Sequence, residues 1–426
     1  MSDRLKVAIV HASDVGSGAE RCVISLHKRL LNKGHKSTLY VGEKNTDIRD
    51  VVQIPYQRGI PGSRRLARWV ERSTGRQDIY NPSFRNLKNL IPSDTDVVHF
   101  NSLWGTNGYA DLAALPDITR NISGVITEHQ NWLLTGHCAC FHDCERWKSG
   151  CGNCPDLTIP PAIPKDGTRK NWKRKRNIIQ KSDIVLVTVS DWLKKKSGES
   201  PIWDNKRILR IYNGIDLQIF HPVSDETRLR LKKRLGIPEN KIAILLTGQT
   251  LGGFKEGGGI ATQGYDVINK LIAAYQIVPV LIGRVSKEAQ SLINGLSVAI
   301  PFQKDPEDMA GCYQAVDITL VTSVVEAFGR IAAESQACGI PVVSFDTGGL
   351  AEVVLNEVGG LSVKKGDTEG LIAALKRMIE DENLRRRLGE QGVRYVVENF
   401  EEGLIADQYI ELFFERIENR LREKMS

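Results

Sequence analysis

Two glutamates, Glu326 and Glu334, stand eight residues apart within SVVEAFGRIAAESQACGIPVVSFDTGG, residues Ser323 to Gly349. Between them, Ala327-Phe328-Gly329 reads as a strand-to-helix turn, and Ile340 to Phe345 reads as a buried strand. A helix running from Phe328 would carry the eight-residue spacing over about 12 Å, at ~1.5 Å per residue. That is the reach of a nucleotide-sugar from its ribose to its sugar ring. A helix N-terminus between two carboxylates offers unsatisfied N–H groups and partial positive charge, which suit a diphosphate. Ionised carboxylates accept hydrogen bonds from paired hydroxyls. The segment can therefore hold sugar, diphosphate and ribose in a line. The same residue types also suit an ordinary strand–turn–helix unit with solvated glutamates.

Three other groups of residues could do chemistry. The loop after the first apolar run is Asp14-Val15-Gly16-Ser17-Gly18-Ala19-Glu20-Arg21. Its Gly16 and Gly18 allow close backbone approach and leave N–H groups for phosphate. His129 follows the Gly124 to Glu128 strand, where an imidazole can share a proton with a substrate hydroxyl. His99, in Asp96 to Asn101, is a weaker candidate of the same kind. Finally, His137, Cys138, Cys140, Cys144, Cys151 and Cys154 fall within 18 residues. Clustered cysteines in a reducing compartment favour a metal. Cys138, Cys144, Cys151 and Cys154 would make a tetrahedral thiolate set for structural zinc, with Cys151-Gly152-Asn153-Cys154 as its knuckle. Two disulfides or free thiols are the alternatives. Cys22, Cys312 and Cys338 read as buried small residues.

The Glu326–Gly349 pattern is a Glu, a small residue, Phe and Gly, a second Glu after seven intervening residues, then C-G-x-P-V-V and a Gly-Gly turn. It resembles the E-x7-E signature of retaining GT-B glycosyltransferases of family 4. The resemblance implies that Glu326 holds the donor-sugar hydroxyls and Glu334 the ribose, with Ala327, Phe328 and Gly329 offering N–H groups to the diphosphate. The first loop resembles the family's G-G-A-E-R loop at the donor phosphate, with Ser17 in place of the first of the paired glycines. In the family a His at the place of His129 lines the acceptor side, close to the transferred sugar. The Cys-rich run resembles an insertion in a subset that assembles surface polysaccharide of the colanic-acid type. The sequence departs from the family at its phosphate-binding cations. Next to Gly248, Gln249 stands at the Arg place, and Gln263 stands at the Lys place. Lys255, in a Gly-rich insertion, and Arg284 are the candidate replacements.

The elements needed to position these residues are also legible. Apolar runs at Val7–Val10, Ser37–Gly42, Asp96–Asn101, Gly124–Glu128 and Ile184–Ser190 alternate with helical patterns, as a parallel sheet requires. The pattern restarts at Lys241–Gly248 and continues through Val278–Gly283, Val298–Pro301, Ile318–Thr322 and Pro341–Asp346. At 426 residues the chain accommodates two domains. The expected fold is α/β of the GT-B type: two Rossmann-like domains facing a cleft, with a C-terminal helix crossing back. The N-terminal domain spans 1–215, carries the insertion 137–155 and is completed by 400–426; the donor domain spans 222–399.

The charge is lopsided: the first 215 residues carry 34 Lys and Arg against 21 Asp and Glu, the remainder 24 against 30. The basic half suits an anionic acceptor or membrane surface, and no nucleic-acid-binding motif accompanies it. No apolar run reaches 18 residues, so no membrane span is expected, and the N-terminus reads as a strand and not a signal peptide. The expected location is the cytoplasm, peripheral at the inner face of the membrane. The expected reaction is metal-independent, retaining transfer from a nucleoside-diphosphate sugar to a hydroxyl of a glycan or lipid-linked acceptor. The alternative is a non-catalytic sugar-nucleotide or glycan-binding partner in an assembly complex.

Overall fold

The computed structural model describes residues 4–16, 18–55, 63–77, 82–104, 109–251, 262–285 and 290–425. The chain divides into two units, Met1–Tyr212 with Gly403–Ser426, and Asn213–Glu402.

The first unit is built on seven parallel strands: β1 (Lys6–Ser13), β2 (Lys36–Glu43), β3 (Val51–Gln53), β4 (Val97–Asn101), β5 (Ser123–Glu128), β6 (Ile184–Thr188) and β7 (Ile208–Arg210). Their order is β3-β2-β1-β4-β5-β6-β7. β4, β5 and β6 are buried at every residue, because helices cover both faces of a parallel sheet and leave no strand face wet. The helix Glu402–Met425 packs on this sheet. Its Ile405, Tyr409, Leu412 and Phe413 recur at helical spacing and join Val7, Ile9, Val97 and Val125 in one core. Arg416 and Arg420 then reach Asp183 at 2.5 and 2.8 Å.

The second unit repeats the plan with six parallel strands: β8 (Ile242–Leu251), β9 (Ile277–Val285), β10 (Val298–Ile300), β11 (Ile318–Val321), β12 (Val342–Asp346) and β13 (Gly360–Lys364). Their order is β10-β9-β8-β11-β12-β13. Each sheet reverses direction once, between β1 and β4 and between β8 and β11. Open α/β sheets bind ligands beyond the strand C-termini at such reversals. In the second unit those ends are Leu251 on β8, just past Gly248, and the Ser323–Gly329 loop after β11. In the first they are the Gly16 loop after β1 and Asn101 on β4.

Candidate functional site

The Glu326 loop is locked by the turn that follows β12. Gly349 N–H donates to the Glu326 carbonyl at 2.8 Å, and Thr347 Oγ1 donates to the Val324 carbonyl at 2.8 Å. A Cβ on Gly348 would lie 2.2 Å from the Glu326 oxygen, and one on Gly349 would lie 2.1 Å from the Ala327 oxygen. Only glycines let the two turns meet. Phe328 is buried against Phe400, with ring centroids 5.3 Å apart. Its side chain anchors the loop while its backbone stays at the turn.

The helix begins later than the spacing predicted. It spans Arg330–Ala337, with Gly329 as its N-cap at φ +103°. That left-handed residue breaks the helical path from Phe328. Only Arg330 to Glu334 therefore rises as helix, about 6 Å at ~1.5 Å per residue. Glu326 to Gly329 is a loop. No side chain caps this helix, which suits its first turn to an anion.

The two glutamates live in different surroundings. Glu326 is partly exposed, and burial pushes its carboxyl up to about 7 against a hydrogen bond from Ser323. Glu334 is buried at 4% exposure. Its Oε1 accepts from Arg330 Nε at 2.7 Å and its Oε2 from Tyr313 OH at 3.2 Å. Arg330 also donates to the Gly214 carbonyl at 3.1 Å. Each carboxylate oxygen can accept more than one hydrogen bond, so ribose hydroxyls would share Glu334 with a structural ion pair. Arg330 carried no warning in the sequence beyond its i,i+4 spacing to Glu334.

The expected phosphate-binding residues are unevenly placed. Gly248 and Gln249 lie where β8 carries one residue more than β9 between Thr247 and Thr250, a bulge of the kind that re-aims a strand end. Arg284 is exposed near the end of β9 and pairs with Thr250 in register. Gln263 sits in the first turn of the helix Thr262–Ile272, and its Oε1 has no hydrogen-bond partner among the described residues. Lys255 lies outside the described residues.

In the first unit, Gly16 precedes the helix Gly18–Asn32, and a Cβ there would lie 2.4 Å from the Glu20 side chain. Gly16 thus makes room for a carboxylate that reaches His11 Nε2 at 3.5 Å. His129 Nε2 lies 3.3 Å from Asn101 Oδ1. The turn that carries His129 is braced from below. Glu128 Oε1 accepts from Leu133 N–H at 3.1 Å, and Lys175 Nζ donates to the Trp132 and Thr135 carbonyls at 2.6 and 3.0 Å. Burial pushes the Glu128 carboxyl up to about 8, opposed by the Leu133 N–H and the Lys175 charge. His99 serves the core. Its Nε2 lies 2.8 Å from Thr127 Oγ1, and its ring packs on Tyr409 and Phe413. Burial takes its pKa down to about 3, so it stays neutral. His11 and Asn101 were legible only as strand residues; nothing in their spacing marked them.

The zinc reading finds no support. Cys138, Cys144, Cys151 and Cys154 do gather around one small cavity, with His137 and Trp147. Yet among the described residues no group of three or more His, Cys, Asp or Glu is placed to hold a metal ion. Two of the four sulfurs have local partners. Gly136 N–H donates to Cys151 Sγ at 3.2 Å, and Cys154 Sγ contacts His137 Nε2 at 3.3 Å and the Asp156 carbonyl at 3.4 Å. Burial pushes the Cys138 thiol up to about 12 and the Cys151 thiol up to about 11. No disulfide joins the cysteines either.

Known proteins agree with this layout. The glycosyltransferase family 4 pattern matches residues 16–219, and the glycosyl transferases group 1 pattern matches residues 261–395. A D-inositol 3-phosphate glycosyltransferase of Thermobifida fusca is 30% identical over 218 residues, 46% of this chain and 46% of that protein. An N-acetyl-alpha-D-glucosaminyl L-malate synthase of Bacillus anthracis is 28% identical over 245 residues, 56% of this chain and 61% of that protein. The chain thus spans about half the length of the curated relatives it matches. Among solved structures, a sucrose-phosphate synthase of Thermosynechococcus elongatus aligns with a TM-score of 0.69 at 19% identity, covering 97% of this chain and 99% of that one. Anabaena HepE, in complex with UDP-glucose, aligns with a TM-score of 0.67 at 16% identity, covering 97% and 100%. The two Rossmann-like units match GT-B glycosyltransferase structures, and the chain is similar in succession to glycosyltransferase family 4 over residues 16–219 and to the group 1 glycosyl transferases over residues 261–395.

Proposed function

We propose that this protein transfers a sugar from a nucleoside-diphosphate sugar to a hydroxyl acceptor, with retention of anomeric configuration and without a catalytic metal. The observation that carries the reading is the Glu326–Gly329 loop. It lies at the switch point of its sheet, is locked by Gly348 and Gly349, and leads into a helix that no side chain caps. Glu326 accepts from sugar hydroxyls. The N–H groups of Ala327 to Gly329 and the helix's first turn hold the diphosphate, and Glu334 takes the ribose. Gly248, in the bulge of β8, and Arg284, exposed near the end of β9, are the candidates to face the diphosphate from this sheet, with Lys255 as the second candidate cation. Fixed donors aimed at a leaving diphosphate stabilise the charge that develops there. In the N-terminal unit, the loop of Gly16 and Gly18 leaves backbone N–H groups for a phosphate, and His129 hydrogen-bonds a substrate hydroxyl.

UDP-sugars are the first donors to test, since HepE was solved with UDP-glucose. Anionic small acceptors come next, since two relatives are named for inositol 3-phosphate and malate. The alternative, a lipid-linked acceptor at an anionic membrane, is supported by the helix Ser63–Thr74. Its Leu66 and Trp69 are 59% and 65% exposed, alongside Arg65 and Arg72. Vesicles of anionic lipid should then sediment the protein, more strongly at low salt; protein that stays in the supernatant contradicts this part.

The replacement of two cations by Gln249 and Gln263 favours a second reading, a binding partner without turnover. Calorimetry against nucleotides, followed by a turnover assay, separates the two. Release of nucleoside diphosphate from a nucleotide-sugar supports the transferase, and tight binding without release supports the partner.

A further inference from the structure

The helix Thr168–Lys181 contains the basic run Arg169 to Arg176 and no acidic residue. Its inner face, with Trp172, Ile178 and Ile179, is buried and tied down from two sides. The Cys-rich insertion holds the start of the helix. Gly152 N–H donates to Thr168 Oγ1 at 2.9 Å, and Trp172 Nε1 donates to the Trp147 carbonyl at 2.8 Å. Asp166, just before the helix, accepts from Cys154 N–H at 2.8 Å and from Thr168 N–H at 3.0 Å. The segment leaving the helix Ser63–Thr74 holds the other side. Asn171 Nδ2 donates to the Gly75 carbonyl at 2.9 Å, and Asn171 Oδ1 accepts from Gln77 N–H at 3.2 Å. A Cβ on Gly75 would lie 1.9 Å from the Lys165 carbonyl oxygen, so only glycine lets the two segments cross there. The outer face is basic: Arg169, Lys170, Lys173 and Arg176 are exposed. At about 100° per residue, Arg169, Lys173 and Arg176 fall within about 60° of one another, and Lys170 flanks them. Arg176 is shared with Asp204 at 3.3 Å. Arg169, Lys170 and Lys173 form no ion pair among the described residues.

We infer that this basic face is a docking surface for an anionic lipid membrane, meeting headgroup phosphates while Leu66 and Trp69 of the adjoining helix enter the interface. The inference deepens the membrane reading given above and does not depend on turnover. From Arg169 to Arg176 the face is convex and about 10 Å long, at ~1.5 Å per residue. It encloses no single small anion, whereas an extended anionic surface meets all of it. The exposed Leu66 and Trp69 supply the apolar contact that a soluble polyanion would not use, and the crossing at Gly75 ties their helix to the basic one. An interfacial helix binds through its buried apolar area together with the attraction of nearby cations to anionic lipid. Two large apolar side chains leave much of that affinity to the cations. The insertion 137–155 then has a structural role, since it holds the helix that carries them.

The test is sedimentation of the full chain with vesicles of phosphatidylglycerol and phosphatidylcholine in equal parts, and with phosphatidylcholine alone. Wild-type protein should bind the mixed vesicles, less as salt rises, and stay in the supernatant with phosphatidylcholine alone. A basic residue near an anionic surface is worth about fivefold in binding, so the double variant Lys170→Gln with Lys173→Gln should bind about 25-fold more weakly and with a flatter salt dependence. Both lysines are exposed and Gln is a comparable helix former, so the variant should melt like wild type. Trp69→Ser should weaken binding and keep the salt dependence. Wild-type binding by the double variant overturns the inference; if Trp69→Ser still weakens binding, the role of the helix Ser63–Thr74 stands. Wild-type protein that ignores the mixed vesicles overturns both. Binding of soluble polyphosphate that the double variant loses, without vesicle binding by wild type, assigns the face to a soluble polyanion and also overturns the inference.

Discussion

Replacing Glu326 with Gln should lower transfer by about 10²–10³-fold, the range for losing one preorganised polar partner, and should make the protein more stable at alkaline pH. The folded protein holds this carboxyl at about 7, against 4.5 for an ordinary one. Between those values the folded state binds the proton that the unfolded chain has lost. Stability therefore falls as pH rises through that window, and the penalty is complete above about 7. Its size is at most about 3.5 kcal/mol, since the shift is about 2.5 units and one pKa unit is ~1.4 kcal/mol. Gln is neutral at every pH and avoids it. Thermal melting should then place Glu326→Gln above wild type at pH 8.5 and level with it at pH 4. A variant that melts lower at pH 8.5 contradicts the burial argument. The combination of higher stability and lost turnover is what a site residue held against its own solvation predicts.

Glu334→Ala should do the opposite and unfold the second unit more readily. It removes the partner of Arg330 at 2.7 Å and of Tyr313 at 3.2 Å in a site where the two charged side chains are 5% and 15% exposed. Breaking a buried pair from one side costs about 3–5 kcal/mol, whereas replacing both partners by apolar groups of similar size is close to neutral. The double variant Arg330→Met with Glu334→Leu should therefore recover most of the melting temperature lost in Glu334→Ala. If it recovers stability and still binds no nucleotide, Glu334 contacts the ribose. If it binds nucleotide as wild type does, Glu334 is a structural residue only. A Glu334→Ala variant that melts like wild type contradicts the ion-pair account.

These two glutamates also show where the sequence was legible. Their spacing and the Phe328–Gly329 turn marked the loop correctly, because the apolar strand before it and the C-G-x-P-V-V strand after it leave little freedom. The helix start was misplaced by two residues, because Gly329 takes a left-handed φ of +103° and a Cβ there would lie 2.7 Å from Leu350, a conformation that glycine allows and the spacing does not show. The long buried strands were plain for the same reason that they are buried: parallel strands covered on both faces read as continuous apolar runs. β3, β7 and β13 were not: each lies at a sheet edge and is only partly buried, so its apolar run is broken. The cysteines show the limit of spacing. They do converge on one cavity, as their clustering suggested, but among the described residues no group of three or more metal-ligating side chains is placed to hold an ion. His11, Glu20 and Asn101 come together from β1, the first helix and β4. No one-dimensional pattern contains that meeting.

The central claim is that the Glu326 loop holds a donor that is turned over. It is tested most directly by incubating purified protein with UDP-, GDP- and ADP-sugars and measuring released nucleoside diphosphate, with Glu326→Gln in parallel. The account predicts release from at least one donor by wild-type protein and a loss of about 10²–10³-fold in the variant. Equal release by the two proteins, or binding of a nucleotide-sugar with no release by either across acceptors, would contradict it.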